Sequence, residues 1–284
     1  MMFWSSAHVA LWARGKDRAA WLNGLVTCDV SKLAPGSAVY GLLLEKKGRI
    51  VTDMVVGAAA DAFVLVLPRA TADGTYATLD HHLIMEDVEL SLDLTARVGF
   101  AHGEVPTVPG AAFVGAYPVS AKGGAVDALI VAPESVAPVE QGVSEEAWEA
   151  FRVRRGVPRF GVDFDATHLP QEASLERLAV AFDKGCYLGQ EVVYMLENRG
   201  KTRQRLVALD IPGVGDDVAR GASVVSENGD SIGEVTSAVS AGTLAGDGVR
   251  AIARVKTSAA PAGARVRVSG REATVHELLV HEVA

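Results

Sequence analysis

The sequence is poor in cysteine, with only Cys28 and Cys186 among its 284 residues. Two distant cysteines cannot form the disulfide framework that stabilises small secreted domains. They also provide too few thiolates for a stable iron–sulfur cluster, which normally takes four protein ligands. The adjacent histidines His81 and His82 usually point in different directions, so we expect no zinc site. The sequence therefore predicts neither a disulfide scaffold nor a resident metal centre.

Long apolar runs are also missing. No uncharged stretch approaches the roughly 18 apolar residues of a membrane-spanning helix. The first residues, MMFWS, contain no basic segment followed by an apolar core, so we expect no signal peptide. These absences predict a cytoplasmic protein with no membrane partner.

Positive charge is in deficit, because 27 Lys and Arg face 35 Asp and Glu, for a net charge of -8. This balance argues against a broad phosphate-binding surface, so we expect no direct binding of nucleic acid. Two local basic clusters stand out, one between Arg152 and Arg159 and one between Arg199 and Arg205. They are interpreted either as solvated faces or as a receptor for a small polyanion.

A hydrophobic content of 49% excludes a mainly disordered chain, and the length suffices for two compact units. Residues 38–45 and 50–57 are apolar, β-rich runs joined by Lys-Lys-Gly-Arg, a pattern that predicts a hairpin. The acids after Ser144 predict the start of a helix with Trp148 and Phe151 on its inner face. From Arg203 onward, short β runs alternate with turns, including Glu-Asn-Gly-Asp at residues 227–230, and predict a small barrel or sandwich.

Residues 184–191, Lys-Gly-Cys-Tyr-Leu-Gly-Gln-Glu, form the densest group of polar side chains, and we call them the cysteine motif. Lys184 lies two positions from Cys186, and a nearby cation lowers the pKa of a thiol. The motif therefore predicts a reactive or ligating thiol. A buried cysteine beside a salt-bridged surface lysine is the alternative. Cys28, within Leu-Val-Thr-Cys, is predicted to belong to the core.

The cysteine motif matches every fixed position of the Lys-Gly-Cys-Tyr-x-Gly-Gln-Glu pattern of a known family. Further matches are Leu-Pro-Gln-Glu at 169–172, the Arg-Gly turn at 199–200, residues 21–30 and Lys-Gly-Arg-Ile at 47–50. The sequence thus resembles the YgfZ folate-binding family, relatives of the aminomethyltransferase (T-protein) of the glycine cleavage system. This resemblance implies an α+β class: an aminomethyltransferase-like folate-binding region of interlocked subdomains over residues 1–204, followed by a C-terminal β-barrel over residues 205–284.

The same resemblance implies which residues bind tetrahydrofolate or a one-carbon derivative of it. Glu172 would accept parallel hydrogen bonds from the aminopyrimidine edge, and Arg152 would hold the anionic glutamate tail. The alternatives are a helix-start acid for Glu172 and a surface residue for Arg152. The other implied folate-binding residues are Tyr187, Gln190, Glu191 and Asp127. Asp127 lies in a segment where the aminomethyltransferases have a pterin-facing acid, and this sequence retains an acid there.

Asp53 is the residue that best distinguishes an aminomethyl transferase from a protein that only binds folate. Residues 48–56 resemble the strand that carries the essential acid of the aminomethyltransferases, with Thr52 in place of a first acid. A carboxylate on an apolar strand must find a partner or reach a ligand, because burying a bare charge is costly. Asp53 is therefore predicted to act as a catalytic acid or base. A solvent-facing position is the alternative, since the alternation with Val51 and Val55 is compatible with it.

By resemblance, the sequence predicts a tetrahydrofolate-binding accessory protein that supports iron–sulfur cluster assembly or repair. Cys186 would be the working thiol, Lys184 its neighbour in the catalytic group, and iron–sulfur client or assembly proteins the partners. The alternative is a folate-dependent one-carbon, aminomethyl-type transferase that uses Asp53, so the sequence leaves open whether the protein is an enzyme. A third interpretation, a factor that modifies transfer RNA by direct contact, fits the acidic composition less well.

Overall fold

The computed structural model describes residues 1–117, 126–136, 142–213, 215, 217–240, 248–259 and 261–278. The chain divides into two compact units, and each is built from two separate segments. The first unit comprises Met1–Ser144 and Leu178–Val192, and the second comprises Glu145–Arg177 and Val193–Ala284. This division differs from the cut predicted after residue 204, because the second unit already begins at Glu145. The predicted domain limits stay a prediction.

The described part of the first unit contains antiparallel sheets and α-helices. Its strands are β1 (Met2–Ser5), β2 (His8–Arg14), β3 (Ala38–Leu44), β4 (Ile50–Ala58), β5 (Ala62–Pro68), β6 (Glu89–Asp93), β7 (Arg97–Gly103), β8 (Phe113–Tyr117) and β9 (Val126–Ala132). Its helices are α1 (Arg18–Asn23) and α2 (Ala72–His81). The strand orders are β3-β4-β5-β2-β6 in one sheet and β1-β7-β9-β8 in the other.

The β3–β4 hairpin confirms the prediction made from its two apolar runs. The strands pair antiparallel, with Leu42 opposite Asp53 and Gly41 opposite Met54. Thr52 and Met54 are buried whereas Val51 and Asp53 are half-buried, as the period of two in a strand requires. Because one face is buried, the register that places Asp53 is strongly specified.

The core of the first unit lies against the five-stranded sheet. It contains Leu22 from α1, Leu79 from α2 and Leu11 from β2, all fully buried. Cys28 belongs to the same cluster with 2% of its surface exposed, which confirms its predicted place in the core. Burial of this kind stabilises a fold by roughly 25 cal/mol for each Å² of apolar surface removed from water.

The second unit is built around a closed barrel. Its strands are β10 (Gln204–Pro212), β11 (Ser223–Ser226), β12 (Ser231–Val239), β13 (Gly248–Lys256), β14 (Arg265–Val268) and β15 (Arg271–His276). The barrel order is β10-β13-β12-β11-β14-β15, and it closes because β10 pairs with both β13 and β15. Closure leaves no unpaired strand edge. The predicted turn at residues 227–230 joins β11 to β12, with Gly229 at φ +90°.

The helices that complete the structure are α3 (Glu145–Arg154), α4 (Glu176–Ala179) and α5 (Gln190–Arg199). α3 begins at the predicted acids, but its buried residues are Ala150, Arg152 and Val153. Trp148 and Phe151 are half-buried, and their predicted position on the inner face stays a prediction. Among the described residues, no helix is long and apolar enough to cross a membrane.

Candidate functional site

The cysteine motif is attached to the loop after α1 by its lysine. The Nζ atom of Lys184 donates hydrogen bonds to the carbonyl oxygens of Val26, at 2.8 Å, and of Cys28, at 2.6 Å. Lys184 is half-buried, and hydrogen bonds from a charged group are stronger than neutral ones. The lysine thus connects two segments that the sequence resemblance had marked separately.

Thr27 makes the second connection between these segments. Its Oγ1 donates to the carbonyl oxygen of Ala179 at 2.5 Å and accepts from the backbone N–H of Leu42 at 2.9 Å. Its own carbonyl oxygen accepts from the N–H of Ala181 at 3.0 Å. Thr27 is fully buried, so these bonds satisfy polar groups that would otherwise be costly.

Two glycines allow the cysteine motif to approach the β3–β4 hairpin. Gly189 has φ +79°, and a Cβ atom there would lie 2.5 Å from the carbonyl oxygen of Glu45. Gly48, in the hairpin turn, has φ +78°, and its Cβ would lie 2.8 Å from the Cβ of Val192. Both positions therefore require glycine, for backbone conformation and for space. Three of the segments that carried the sequence resemblance, residues 21–30, 47–50 and 184–191, thus meet within the first unit.

The two thiols have opposite environments. Cys186 is exposed and Cys28 is buried, and both are free cysteines. Burial raises the pKa of the Cys28 thiol to about 12, and the nearby Lys184 ammonium offsets only part of this effect. The thiolate is the reactive form of cysteine. Accessibility therefore selects Cys186, and the lysine expected to activate it is bound to the backbone at Cys28.

Desolvation also lowers the pKa of Lys184 below its usual value. The ammonium lies 5.4 Å from the ring centre of Tyr187, within the range of a cation–π contact. Tyr187 is buried, with 6% of its surface exposed. The tyrosine of the motif therefore packs beneath the lysine.

The last two residues of the cysteine motif begin helix α5. Gln190 is half-buried, whereas Glu191 is exposed in the first turn of the helix. An acid in the first turn is favoured by the helix dipole. The roles of Tyr187, Gln190 and Glu191 in folate binding stay predictions.

Asp53 has a defined partner on the neighbouring strand. Its Oδ2 accepts a hydrogen bond from the hydroxyl of Tyr40 at 2.9 Å, and its side chain is half-buried. A carboxylate held in this way is oriented, as an acid or base in catalysis must be. Tyr40 could not be predicted as this partner, because a diagonal pair across a hairpin follows only from the register. The catalytic role of Asp53 stays a prediction.

Asp127 lies on β9 opposite His102 of β7. The Nδ1 atom of His102 and the Oδ1 atom of Asp127 are 2.7 Å apart, and Asp127 is 5% exposed. The histidine was not predicted as a partner. Gly123 and Gly124, which resemble the same aminomethyltransferase segment as Asp127, lie outside the described residues. The pterin contact of Asp127 stays a prediction.

Arg152, in the second unit, is buried at the centre of a polar network, so its alternative assignment as a surface residue is wrong. Its guanidinium forms ion pairs with Asp163 and Glu149, both at 2.7 Å. It also donates to the Ser237 hydroxyl at 2.9 Å and to the carbonyl oxygen of Val157 at 3.1 Å. A folate tail would have to compete with these bonds, and that predicted contact stays a prediction.

Glu172 is oriented by its own turn. Its Oε2 accepts a hydrogen bond from the N–H of Leu169 at 3.0 Å, while its carbonyl oxygen accepts from the N–H of Leu206. Its other carboxylate oxygen accepts no hydrogen bond from the described residues. Glu172 thus caps a turn that precedes α4, and its carboxylate is aimed by a fixed backbone. Its role in folate binding stays a prediction.

The described residues contain no group of three or more His, Cys, Asp or Glu side chains placed to hold a metal ion. The chemistry that the first unit offers is therefore that of an exposed thiol, an oriented carboxylate and a partly desolvated lysine.

Comparison with known proteins gives matches of two kinds. The family model described as the GCVT N-terminal domain matches residues 3–99. A protein of Colwellia psychrerythraea named tRNA-modifying protein YgfZ is 23% identical over 219 residues, which cover 69% of this chain and 67% of that protein. An aminomethyltransferase of a Picosynechococcus species is 26% identical over 265 residues, covering 81% of this chain and 72% of that protein.

The solved structures include glycine cleavage system aminomethyltransferase T from Bartonella henselae. It matches with a TM-score of 0.80 at 19% identity, over 99% of this chain and 86% of that one. At this identity the match establishes the fold. It confirms the predicted class, an α+β body similar to the aminomethyltransferases together with a C-terminal barrel.

Proposed function

We propose that this chain, a YgfZ-type relative of the aminomethyltransferases, binds tetrahydrofolate or a one-carbon derivative and presents Cys186 as its working thiol. Its role would be to support the assembly or repair of iron–sulfur enzymes. The observation that carries the proposal is the fixed attachment of the cysteine motif around an exposed thiol. Lys184 and Gly189 hold the motif to the core, and Cys186 lies between them with its side chain in solvent.

This arrangement is suited to a thiol that contacts a docked partner protein. A cysteine held in a rigid loop loses little conformational freedom when a partner docks, so more of the interaction energy contributes to binding. The chain has two cysteines, whereas a stable cluster normally takes four ligands. We therefore assign Cys186 to contact with a cluster or thiol held by a client protein.

The donor and acceptor set fits a folate. Glu172 presents an oriented carboxylate with one oxygen unused by the described residues, and such a group can accept hydrogen bonds from the aminopyrimidine edge of a pterin. Tetrahydrofolate, when bound, supplies nitrogen atoms that accept or carry a one-carbon unit. The chain's own residues would orient the ring and exclude water from it.

A folate-dependent one-carbon transferase is the second candidate, and the pair of Tyr40 and Asp53 favours it. The tyrosine hydroxyl fixes the carboxylate on a half-buried strand, in a position suited to orienting or deprotonating an amine. Its test is an assay of one-carbon transfer to tetrahydrofolate with an amine donor. Asp53→Asn should abolish transfer and Cys186→Ala should spare it.

The names of the YgfZ relatives refer to tRNA modification. We propose that this chain contributes to such modification without holding a large RNA surface, because its net charge is -8. A protein of this charge gains little from the release of counterions that drives nonspecific binding to nucleic acid.

Folate binding is tested by anaerobic calorimetric titration with tetrahydrofolate. We expect saturable binding by the wild type and at least tenfold weaker binding by Glu172→Gln, which loses a charged acceptor. Glu227→Gln, an exposed change in the turn between β11 and β12, serves as the matched control. A folded wild type that binds no tetrahydrofolate would refute this part of the proposal.

The role of the thiol is tested in a strain that lacks the protein, by measuring the activity of iron–sulfur enzymes. Wild type and Asp53→Asn should restore activity, and Cys186→Ala should not. Full restoration by Cys186→Ala would show that the thiol is dispensable. Because Cys186 is exposed, its replacement should leave stability unchanged. A loss of activity in this variant therefore could not be attributed to unfolding.

A further inference from the structure

We propose that a basic cleft in the second unit binds a phosphate-bearing ligand of about the size of a nucleotide. The cleft has a volume of about 730 Å³ and lies beside the C-terminal end of α5 and the start of β10. Its cationic residues are Arg177, Lys201, Arg203, Arg205 and Lys256. The volume is typical of a small-molecule site. Neither Glu172 nor Arg152 lines it, so the inference goes beyond the function proposed above.

The positive charge in the cleft is only partly neutralised by the acids that line it. Two acids, Glu176 and Glu197, face the five cations. Glu197 is paired with Arg177 at 3.3 Å. Among the described residues, Lys201 and Arg203 form no ion pair, and both side chains are exposed. Cations grouped in a concave site raise the local concentration of anions more than the same charges on a flat face.

Arg205 points to a ligand that accepts hydrogen bonds. It is half-buried on β10, and its Nε atom is buried without an acceptor among the described residues. An unsatisfied buried donor destabilises the folded state, and an oxygen atom of a ligand would remove that cost. The planar guanidinium fork matches the oxygen atoms of a phosphate, which carries about two negative charges.

Gln171 indicates that the ligand also donates a hydrogen bond. Its amide is held in one orientation because Nε2 donates to the carbonyl oxygen of Val193 at 3.0 Å. The Oε1 atom is buried and receives no hydrogen bond from the described residues. A hydroxyl group would satisfy it. Phosphate oxygens and hydroxyl groups occur together in nucleotides and sugar phosphates.

Glu176 makes the cleft more favourable to anions than a count of charges indicates. Burial raises the pKa of its carboxyl group to about 7; Arg205 and Arg177 lower the pKa, and Glu197 raises it. At neutral pH the carboxyl is therefore partly protonated and able to donate a hydrogen bond. This feature supports the cleft, whose assignment rests on its residues and their unused polar atoms.

The test is calorimetric titration of the full chain with AMP. We expect one saturable site for AMP, competition by inorganic phosphate, and about tenfold weaker binding in Arg203→Gln, because a charge-assisted hydrogen bond is lost. Arg267→Gln removes an exposed arginine of β14 that does not line the cleft, and it should bind AMP as the wild type does. Because Arg203 is exposed, its replacement should leave folding intact.

Titration with further ligands shows whether the phosphate belongs to a free nucleotide or to a polynucleotide. Tighter binding of a single-stranded RNA trinucleotide than of AMP would assign the site to a polynucleotide, and equal or weaker binding to a free nucleotide. Either result supports a phosphate site. Absence of AMP binding, equal losses in Arg203→Gln and Arg267→Gln, or preference for a diglutamate peptide over AMP would overturn it. The same variants are also titrated with tetrahydrofolate, so that loss of AMP binding can be distinguished from loss of folate binding.

Discussion

The ammonium of Lys184 lies 2.6 Å from the carbonyl oxygen of Cys28, so the lysine of the cysteine motif is bound to the backbone of the other cysteine. The Lys-x-Cys spacing had predicted a lysine that activates the thiol of Cys186. In the first unit the lysine acts as an anchor for the loop that carries Cys186. The proposed role of the Cys186 thiol then depends on where the loop holds it, and its reactivity has to be measured.

Selective alkylation is the first prediction. Native protein treated briefly with iodoacetamide should gain one adduct, located at Cys186, because Cys28 is buried and burial raises its thiol pKa to about 12. Reaction requires the thiolate and access to it. Intact-mass and peptide mass spectrometry measure the result. Native Cys186→Ala should gain no adduct, and unfolding in urea should expose the second thiol. Rapid labelling of Cys28 in native protein would contradict the structure.

The two glycines of the cysteine motif should differ sharply. Gly189→Ala forces φ +79° on a residue with a side chain and places its Cβ 2.5 Å from the oxygen of Glu45. The backbone strain alone costs at least about 1 kcal/mol, and the clash adds to it. Gly185→Ala is the matched control, because its Cβ would have no atom within 4 Å. Urea denaturation measures both changes, and equal stabilities for the two variants would refute this account of Gly189.

The pair of Arg152 and Asp163 should be strongly coupled. Asp163 is fully buried, and its carboxylate also accepts hydrogen bonds from Thr236 and Ser237. Arg152→Gln leaves that carboxylate without its cation and should cost about 3–5 kcal/mol. Adding Asp163→Asn should recover part of the loss.

A double-mutant cycle in urea measures this coupling free energy. A coupling near zero, with folate affinity lost in Arg152→Gln, would instead support Arg152 as a ligand for the folate tail.

Glu176 should make stability depend on pH. Burial raises the pKa of its carboxyl from 4.5 to about 7, against the effect of Arg205. The folded state then binds the proton more tightly than the unfolded state. This stabilisation is complete below pH 4.5 and is lost as the pH rises through about 7. The loss is about 3 kcal/mol at most.

Urea denaturation at about pH 5 and about pH 8 tests this window. Glu176→Gln should lose less stability between the two than the wild type, and Glu227→Gln should behave as the wild type does. A wild type and a Glu176→Gln variant with the same pH profile would contradict the raised pKa.

Local patterns predicted much of the fold. The β3–β4 hairpin, the helix after Ser144 and the turn at residues 227–230 all depend on neighbouring residues, so their signals lie within short windows of sequence. The sequence also placed Cys28 in the core correctly. The burial of Arg152 in a polar network on α3 was not predicted, because no helical pattern of apolar residues reveals it.

The partners of the site residues were harder to predict. Lys184 binds backbone carbonyl groups, which every residue possesses, so the identities of Val26 and Cys28 carried no signal. Arg152 meets Ser237, which is distant in sequence, and Tyr40 reaches Asp53 only in the register that the sheet adopts. Such contacts depend on the tertiary fold, whereas the sequence resemblance identified only which segments matter.

The interleaved order of the two units has a consequence for synthesis. The first unit needs Leu178–Val192, yet the ribosome makes the whole segment Glu145–Arg177 before that stretch. Until it emerges, the Oγ1 of Thr27 lacks its acceptor at Ala179, and the carbonyl oxygens of Val26 and Cys28 lack the lysine. The first unit therefore cannot complete these hydrogen bonds until the late segment has been synthesised, and partly folded chains of this kind expose surface that favours aggregation.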